Sequence, residues 1–264
     1  MLNAFSKSRY WPIDKKSWYK ESVPFGPLWS VVSTIVIIVL PQAFALLAFE
    51  VLFHILKWKP SYANNWFNNS VIGQFSYVLI IEIQSLTLIA LALKYKAAHF
   101  MSIGLVRFRS KDILYTLNGF LVYIAIFYAI STLAGKLISG FDANQKQNVG
   151  FQSAHGTVPL LITFVSLVIL PPIAEEIIFR GYLFSGLRTK IKFIYAAIIT
   201  SALFAVPHLL EGQSGGTLWI AGLDTFVLSM VLCYLREKTK SLWPGIMLHA
   251  LKNGLAFAAL FFIL

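Results

Sequence analysis

Seven apolar stretches recur along the chain, each close to the ~20 residues that carry a helix across ~30 Å of hydrocarbon. They run from Leu28 to about Leu56, Val71 to about Leu93, Ile113 to about Leu137, Thr157 to about Leu187, Ile194 to about Leu210, Thr217 to about Leu235 and Trp243 to Leu264. The fifth is the shortest. The expected fold is therefore all-α: a polytopic membrane protein with about seven transmembrane helices, integral to the membrane and multi-pass. Composition agrees. The chain is 58% hydrophobic and 12% charged, against roughly 45–50% and 25% in a soluble domain. The single cysteine, Cys233, excludes an internal disulfide and any multi-cysteine metal site, and reads as a small buried residue.

The net charge of +11 would suggest nucleic acid in a soluble protein. Here the basic residues fall between apolar stretches, so the expected partner is the lipid bilayer with its anionic cytoplasmic leaflet, and no nucleic acid. With the N-terminus inside, the inner segments hold seventeen Lys and Arg, and the outer loops hold four, with Lys252 inside the last span. That bias places the N-terminus in the cytoplasm. Residues 1–27 then form a cytoplasmic basic leader, partly interfacial, and residues 28–156 carry the N-terminal transmembrane helices. Lys57 to Ser70 reads as a polar loop, Pro41 as a kink, and the turn 211–216 as a cluster of breakers. Glu50 and His54 are spaced to pair. Asn144 and Asn148 fall in a polar loop. Glu82 and Asp224, each in mid-span, are expected to be structural partners for neighbouring helices.

The fourth span contains Glu175, Glu176 and Arg180 within six residues. Each charge at such depth costs roughly 2.5–3.5 kcal/mol on insertion scales. Glu176 and Arg180 are four apart, share a helix face and can neutralise each other. Glu175 lies about 100° around the helix with no oppositely charged partner in this stretch. Two further polar clusters follow: Phe204 and His208 in the fifth span, His249 and Asn253 in the seventh, each pair one turn apart. Counted along straight helices from the inner ends, Glu175, His208, His249 and Asn253 fall roughly 14–24 Å deep and can share one layer. A carboxylate in an apolar pocket can take a proton from water. An imidazole can hold that water or pass the proton on, and His and Asn can donate to an oxyanion. That is equipment for amide hydrolysis without a covalent intermediate. Zinc is the alternative cofactor, with Glu175, His208 and His249 as a three-ligand set, although the His-Glu-x-x-His helix is absent. Haem held by His208 and His249 would leave the glutamates unexplained.

Glu175-Glu176-x-x-x-Arg180, Phe204-x-x-x-His208 and His249-x-x-x-Asn253, in this order, resemble the three motifs of the CPBP family of intramembrane proteases. That family includes CAAX prenyl endopeptidases, bacteriocin-processing enzymes and self-immunity proteins of the Abi group. The resemblance covers residues 157–264, taken as the catalytic core. It implies an all-helical membrane fold with a polar cavity open to the membrane or cytoplasm. It implies that Glu175 activates water with help from His208, and that His249 and Asn253 stabilise the oxyanion. Glu176 and Arg180 become a structural pair, with Phe204 packing beside the site. The expected substrate is a peptide or lipidated protein, cut near the inner leaflet. The competing expectation is a non-enzymatic immunity or peptide-binding protein of the same family.

Overall fold

The computed structural model describes residues 16–138, 141–142, 145, 149–209 and 217–263. Most of the basic leader, Asn144, Asn148 and the turn 211–216 lie outside the described residues. What is described is helical, with no strand among it. In chain order the helices are α1 (Lys16–Ser22), α2 (Pro27–Ile55), α3 (Pro60–Asn69), α4 (Val71–Tyr95), α5 (Ser110–Leu137), α6 (Thr157–Arg188), α7 (Phe193–His208), α8 (Trp219–Thr239) and α9 (Trp243–Ile263). Six of them are long and apolar enough to cross a membrane. The expected seventh crossing, α7, is an apolar helix of 16 residues, or about 24 Å at 1.5 Å per residue. It stops short of the bilayer thickness, just after Pro207, and leaves His208 at its tip. The chain is an integral, multi-pass membrane protein by these spans.

Local chemistry sets the helix ends. Proline stands in the first turn of α2, α3 and α9, where its missing N–H is not needed. Ser70 caps α4 by accepting from the Gly73 amide at 3.1 Å. The carboxylate of Asp112 accepts from the Arg109 amide at 2.9 Å and starts α5. The helix α2 runs unbroken through Pro41. Glu50 and His54 are both exposed and, among the described residues, form no ion pair with each other. Glu82 likewise has no ion-pair partner among the described residues. The segment read as a polar loop contains α3, held by stacking of Trp58 on Phe53 and by edge contacts of Trp66 with both rings. Such an aromatic cluster suits a membrane interface.

The helix α8 is the axis of the bundle. In its most apolar window 61% of residues are buried, against 17–28% in the other five spans, whose remaining surface faces lipid. It packs chiefly against α7, α5 and α9. The second axis is the C-terminal part of α6, where every residue from Glu176 to Thr189 is buried. This part is not regular α-helix. Two π-helical segments, Val165–Ile169 and Glu176–Leu183, flank the turn that holds Pro171 and Pro172. Such widened turns recur at functional sites.

The loops sort onto two ends. At one end the Leu242 amide donates to the Gly104 carbonyl at 2.9 Å, and Trp243 Nε1 donates to the Val106 carbonyl. These bonds join the turns after α4 and α8. Gly104 is left-handed (φ +100°) and lies against the Arg236 guanidinium, so an added Cβ would sit 2.5 Å from Cζ. Arg188 donates to both carboxylate oxygens of Glu237 at 3.0 and 2.8 Å, and Lys240 lies 3.3 Å from the same carboxylate. Tyr19 of α1 is fully buried against this group. The end of the leader is therefore docked into the core rather than lying only on the interface. Burial raises the Tyr19 hydroxyl pKa well above its ordinary value, so it stays a neutral phenol. At the opposite end Phe151 N donates to Gln74 Oε1 at 2.6 Å, Ser153 bonds the Asn69 carbonyl, and Gln145 donates to the Thr217 carbonyl at 3.2 Å.

Removing one partner of a buried ion pair typically costs about 3–5 kcal/mol. Glu237→Ala leaves the buried Arg188 and the half-buried Lys240 without their carboxylate. Thermal unfolding in detergent is expected to show a loss of that order.

Candidate active site

Glu175, His208, His249 and Asn253 line one cavity of about 580 Å³. The three sequence clusters, far apart in the chain, thus meet. Glu175 comes from α6, His208 from the tip of α7, and His249 and Asn253 from one face of α9. The two adjacent glutamates diverge. The Glu175 side chain is 26% exposed and borders the cavity, whereas that of Glu176 is 1% exposed. Arg180 Nη1 donates to Glu176 Oε1 at 2.8 Å, as the spacing of four residues required. His249 stands between the two carboxylates, with Nε2 3.7 Å from Glu175 Oε2 and Nδ1 3.4 Å from Glu176 Oε1. Neither approach closes as a hydrogen bond among the described residues, so the ring is held between the two carboxylates by charge and packing.

Phe204 organises the neighbourhood. The Arg180 guanidinium lies over its ring at 4.3 Å, a cation–π contact inside the bundle. The His249 ring meets it edge-on at 5.8 Å, the His208 ring is tilted at 5.1 Å, and Phe179 packs edge-on at 4.9 Å. One aromatic ring therefore positions the arginine and both imidazoles. His208 Nδ1 is 2.9 Å from the Phe204 carbonyl. A carbonyl only accepts, so Nδ1 carries the hydrogen of the neutral ring and Nε2 keeps a lone pair.

The proline pair explains Asn253. The Leu167 carbonyl would take its α-helical bond from residue 171 and its π-helical bond from residue 172, and both are proline. Asn253 Nδ2 donates to that carbonyl at 2.9 Å instead. Asn253 thereby ties α9 to α6 at the level of the cavity, and its amide keeps a second hydrogen.

Some residues of the site carry no motif. Asp224 has two partners: Lys252 Nζ at 2.9 Å and the Tyr123 hydroxyl, and all three line the cavity. The sequence offered the signal, since opposite charges in two separate spans call for each other. Gly245 was not signalled at all. A Cβ there would sit 2.6 Å from Glu176 Oε2, so glycine lets α9 close on the buried carboxylate. As for zinc, no three His, Cys, Asp or Glu side chains among the described residues come close enough together to hold a metal ion. The set Glu175, His208 and His249 does not converge as a tetrahedral site requires.

Residues 157–255 match the sequence model of the Rce1-like, type II CAAX prenyl endopeptidase family. "Putative membrane peptidase YdiL" of Bacillus subtilis is 30% identical over 145 residues, covering 54% of this chain and 54% of that protein. "UPF0177 protein YxdF" of Lactococcus lactis is 27% identical over 106 residues, covering 40% of this chain and 54% of that protein. The chain thus spans about half the length of the curated relatives it matches. No solved structure matches it.

Two substitutions test the packing around the site. Gly245→Ala pushes on Glu176 and is expected to lower stability by about 1–3 kcal/mol, the usual range for overpacking, read as a drop in unfolding temperature. Arg180→Leu strands a buried carboxylate and is expected to cost more, about 3–5 kcal/mol. The three motif clusters gathered round one cavity all fall within residues 157–255, the stretch similar to the Rce1-like, type II CAAX prenyl endopeptidase family.

Proposed function

We propose that the protein is an intramembrane endopeptidase in which Glu175 activates the attacking water. One observation carries this reading. Of two adjacent carboxylates, Glu175 alone borders the cavity, beside His249, while Glu176 is buried against Arg180. The match to a family described as prenyl endopeptidases, and to a relative described as a membrane peptidase, supports the same class of reaction.

The chemistry follows from the positions. A peptide carbonyl enters the cavity next to Glu175. Glu175 takes a proton from water as the water oxygen bonds to the carbonyl carbon. The carbonyl π electrons move onto oxygen. His249 and the second amide hydrogen of Asn253 donate to that oxyanion. The C–N bond then breaks, and the proton held by Glu175 passes to the departing amine. His208 Nε2, free to accept, holds the water or relays this proton. Glu176, Arg180 and Phe204 take no part in bond making; they hold His249 and the α6 turn in place. Apolar lining from Phe127, Leu167, Leu218 and Phe257 suits an apolar stretch of substrate.

A general base is worth roughly 10²–10⁴-fold in rate. Membranes from cells carrying Glu175→Ala or His208→Ala, at equal protein level, are therefore expected to accumulate the same set of uncut peptides. Peptide profiles indistinguishable from those of the unsubstituted protein would exclude hydrolysis by this site. A phenotype that survives both substitutions would instead favour a non-enzymatic peptide-binding role.

A further inference from the structure

We propose that Lys252 is a specificity-determining residue of the cavity: held in place by Asp224 and Tyr123, its ammonium binds a carboxylate of the peptide. The inference rests on the peptidase reading and adds a chemical group of the ligand and the side chain that takes it.

Lys252 stands on α9 three residues after His249 and one before Asn253. At about 100° per residue it lies about 60° to one side of His249, and Asn253 about 40° to the other. All three line the cavity, and so does Glu175. Among the described residues of that lining, Lys252 is the only lysine or arginine. Arg180 is engaged elsewhere, buried against Glu176 and Phe204.

The ammonium is fixed without being used up. Its Nζ lies 2.9 Å from Asp224 Oδ2, and the Tyr123 hydroxyl donates to Asp224 Oδ1. Tyr123 comes from α5, Asp224 from α8 and Lys252 from α9, so three helices hold the group. Each oxygen of Asp224 has a donor, and among the described residues Asp224 is the one ion-pair partner of Lys252. An ammonium has three hydrogens, which leaves two for a ligand. Stability is a weak reason for such a group. A buried ion pair is often no better than apolar side chains of the same volume. Ionisable residues inside membrane spans instead mark the places where ligands pass.

The reaction itself supplies a carboxylate. Hydrolysis converts an amide and a water into a carboxylic acid and an amine, and the acid then gives its proton to the amine. Glu175, having passed its own proton to the departing amine, is again ionised. The new carboxylate therefore forms beside an existing one, and like charges disfavour each other. A cation one helical turn from His249 offsets the added charge. A carboxylate that the peptide already carries at its C-terminus has the same chemistry but lies farther from Glu175.

The test is calorimetric titration of the purified protein in detergent with acetyl-Leu-Leu-Leu, which ends in a carboxylate, and with its C-terminal amide. The unsubstituted protein is expected to bind the acid at least about tenfold more tightly, the size of one charge-assisted hydrogen bond. Lys252→Arg is expected to keep that preference. Lys252→Met alone would strand Asp224, so it is combined with Asp224→Asn, which removes both charges together. Lys252→Gln, which keeps a donor toward Asp224, is the second variant. Both are expected to unfold cooperatively and to bind acid and amide alike. Glu175→Gln identifies the source. Tighter binding of the acid, with the amide unchanged, assigns the subsite to the carboxylate made by the cut. A preference kept at its original size assigns it to a C-terminus that the peptide brings. Neither result needs turnover, so the preference stands or falls separately from the peptide profiles that test hydrolysis. No binding of the acid, or equal binding of acid and amide by the unsubstituted protein, would overturn the proposal. So would a preference that survives in a folded variant lacking the Lys252 charge.

Discussion

Burial of one carboxylate shapes everything around it. Glu176 sits inside a membrane bundle with almost no exposed surface, and such a charge persists only if matched. Arg180 supplies the opposite charge at 2.8 Å, Phe204 supports the guanidinium, and His249 closes on the carboxylate from α9. Each helix of the site touches this group. It fixes the α6 turn so that the preceding residue, Glu175, turns toward the cavity. The pair thus separates two chemically identical neighbours into a buried anchor and a carboxylate that borders the cavity.

The same helix carries its own irregularity. Two prolines in sequence deprive the Leu167 carbonyl of donors in either helical register, and the segments on both sides widen into π-helix. Asn253 satisfies the stranded carbonyl from another span. An unsatisfied buried carbonyl costs about 1–3 kcal/mol, so this bond fastens α9 to α6 just where the cavity needs both. The motif asparagine therefore has a structural task alongside any contact with substrate.

How much of this was legible in the sequence depended on distance along the chain. The Glu176–Arg180 pair was readable because one helical turn brings the two together. The shared layer of Glu175, His208, His249 and Asn253 was readable because depth in a membrane follows from residue count. The helix α3 was missed because its Asn-rich composition argues against helix, and only packing of Trp58 and Trp66 under Phe53 overrides that. Docking of Tyr19, the closeness of Gly245 to Glu176 and the bond of Tyr123 to Asp224 join residues with no periodic relation. They appear only once the helices are packed.

Glu175 and Glu176 have different surroundings although they are adjacent in the chain, and the proposed division of tasks depends on that difference. The direct measurement compares Glu175→Gln and Glu176→Gln, purified in parallel, for unfolding temperature and for turnover of a peptide that the unsubstituted protein cuts. The predicted result is an unchanged unfolding temperature with turnover lost for Glu175→Gln, and a lowered unfolding temperature for Glu176→Gln. Turnover retained by Glu175→Gln, or equal destabilisation by the two substitutions, would contradict it.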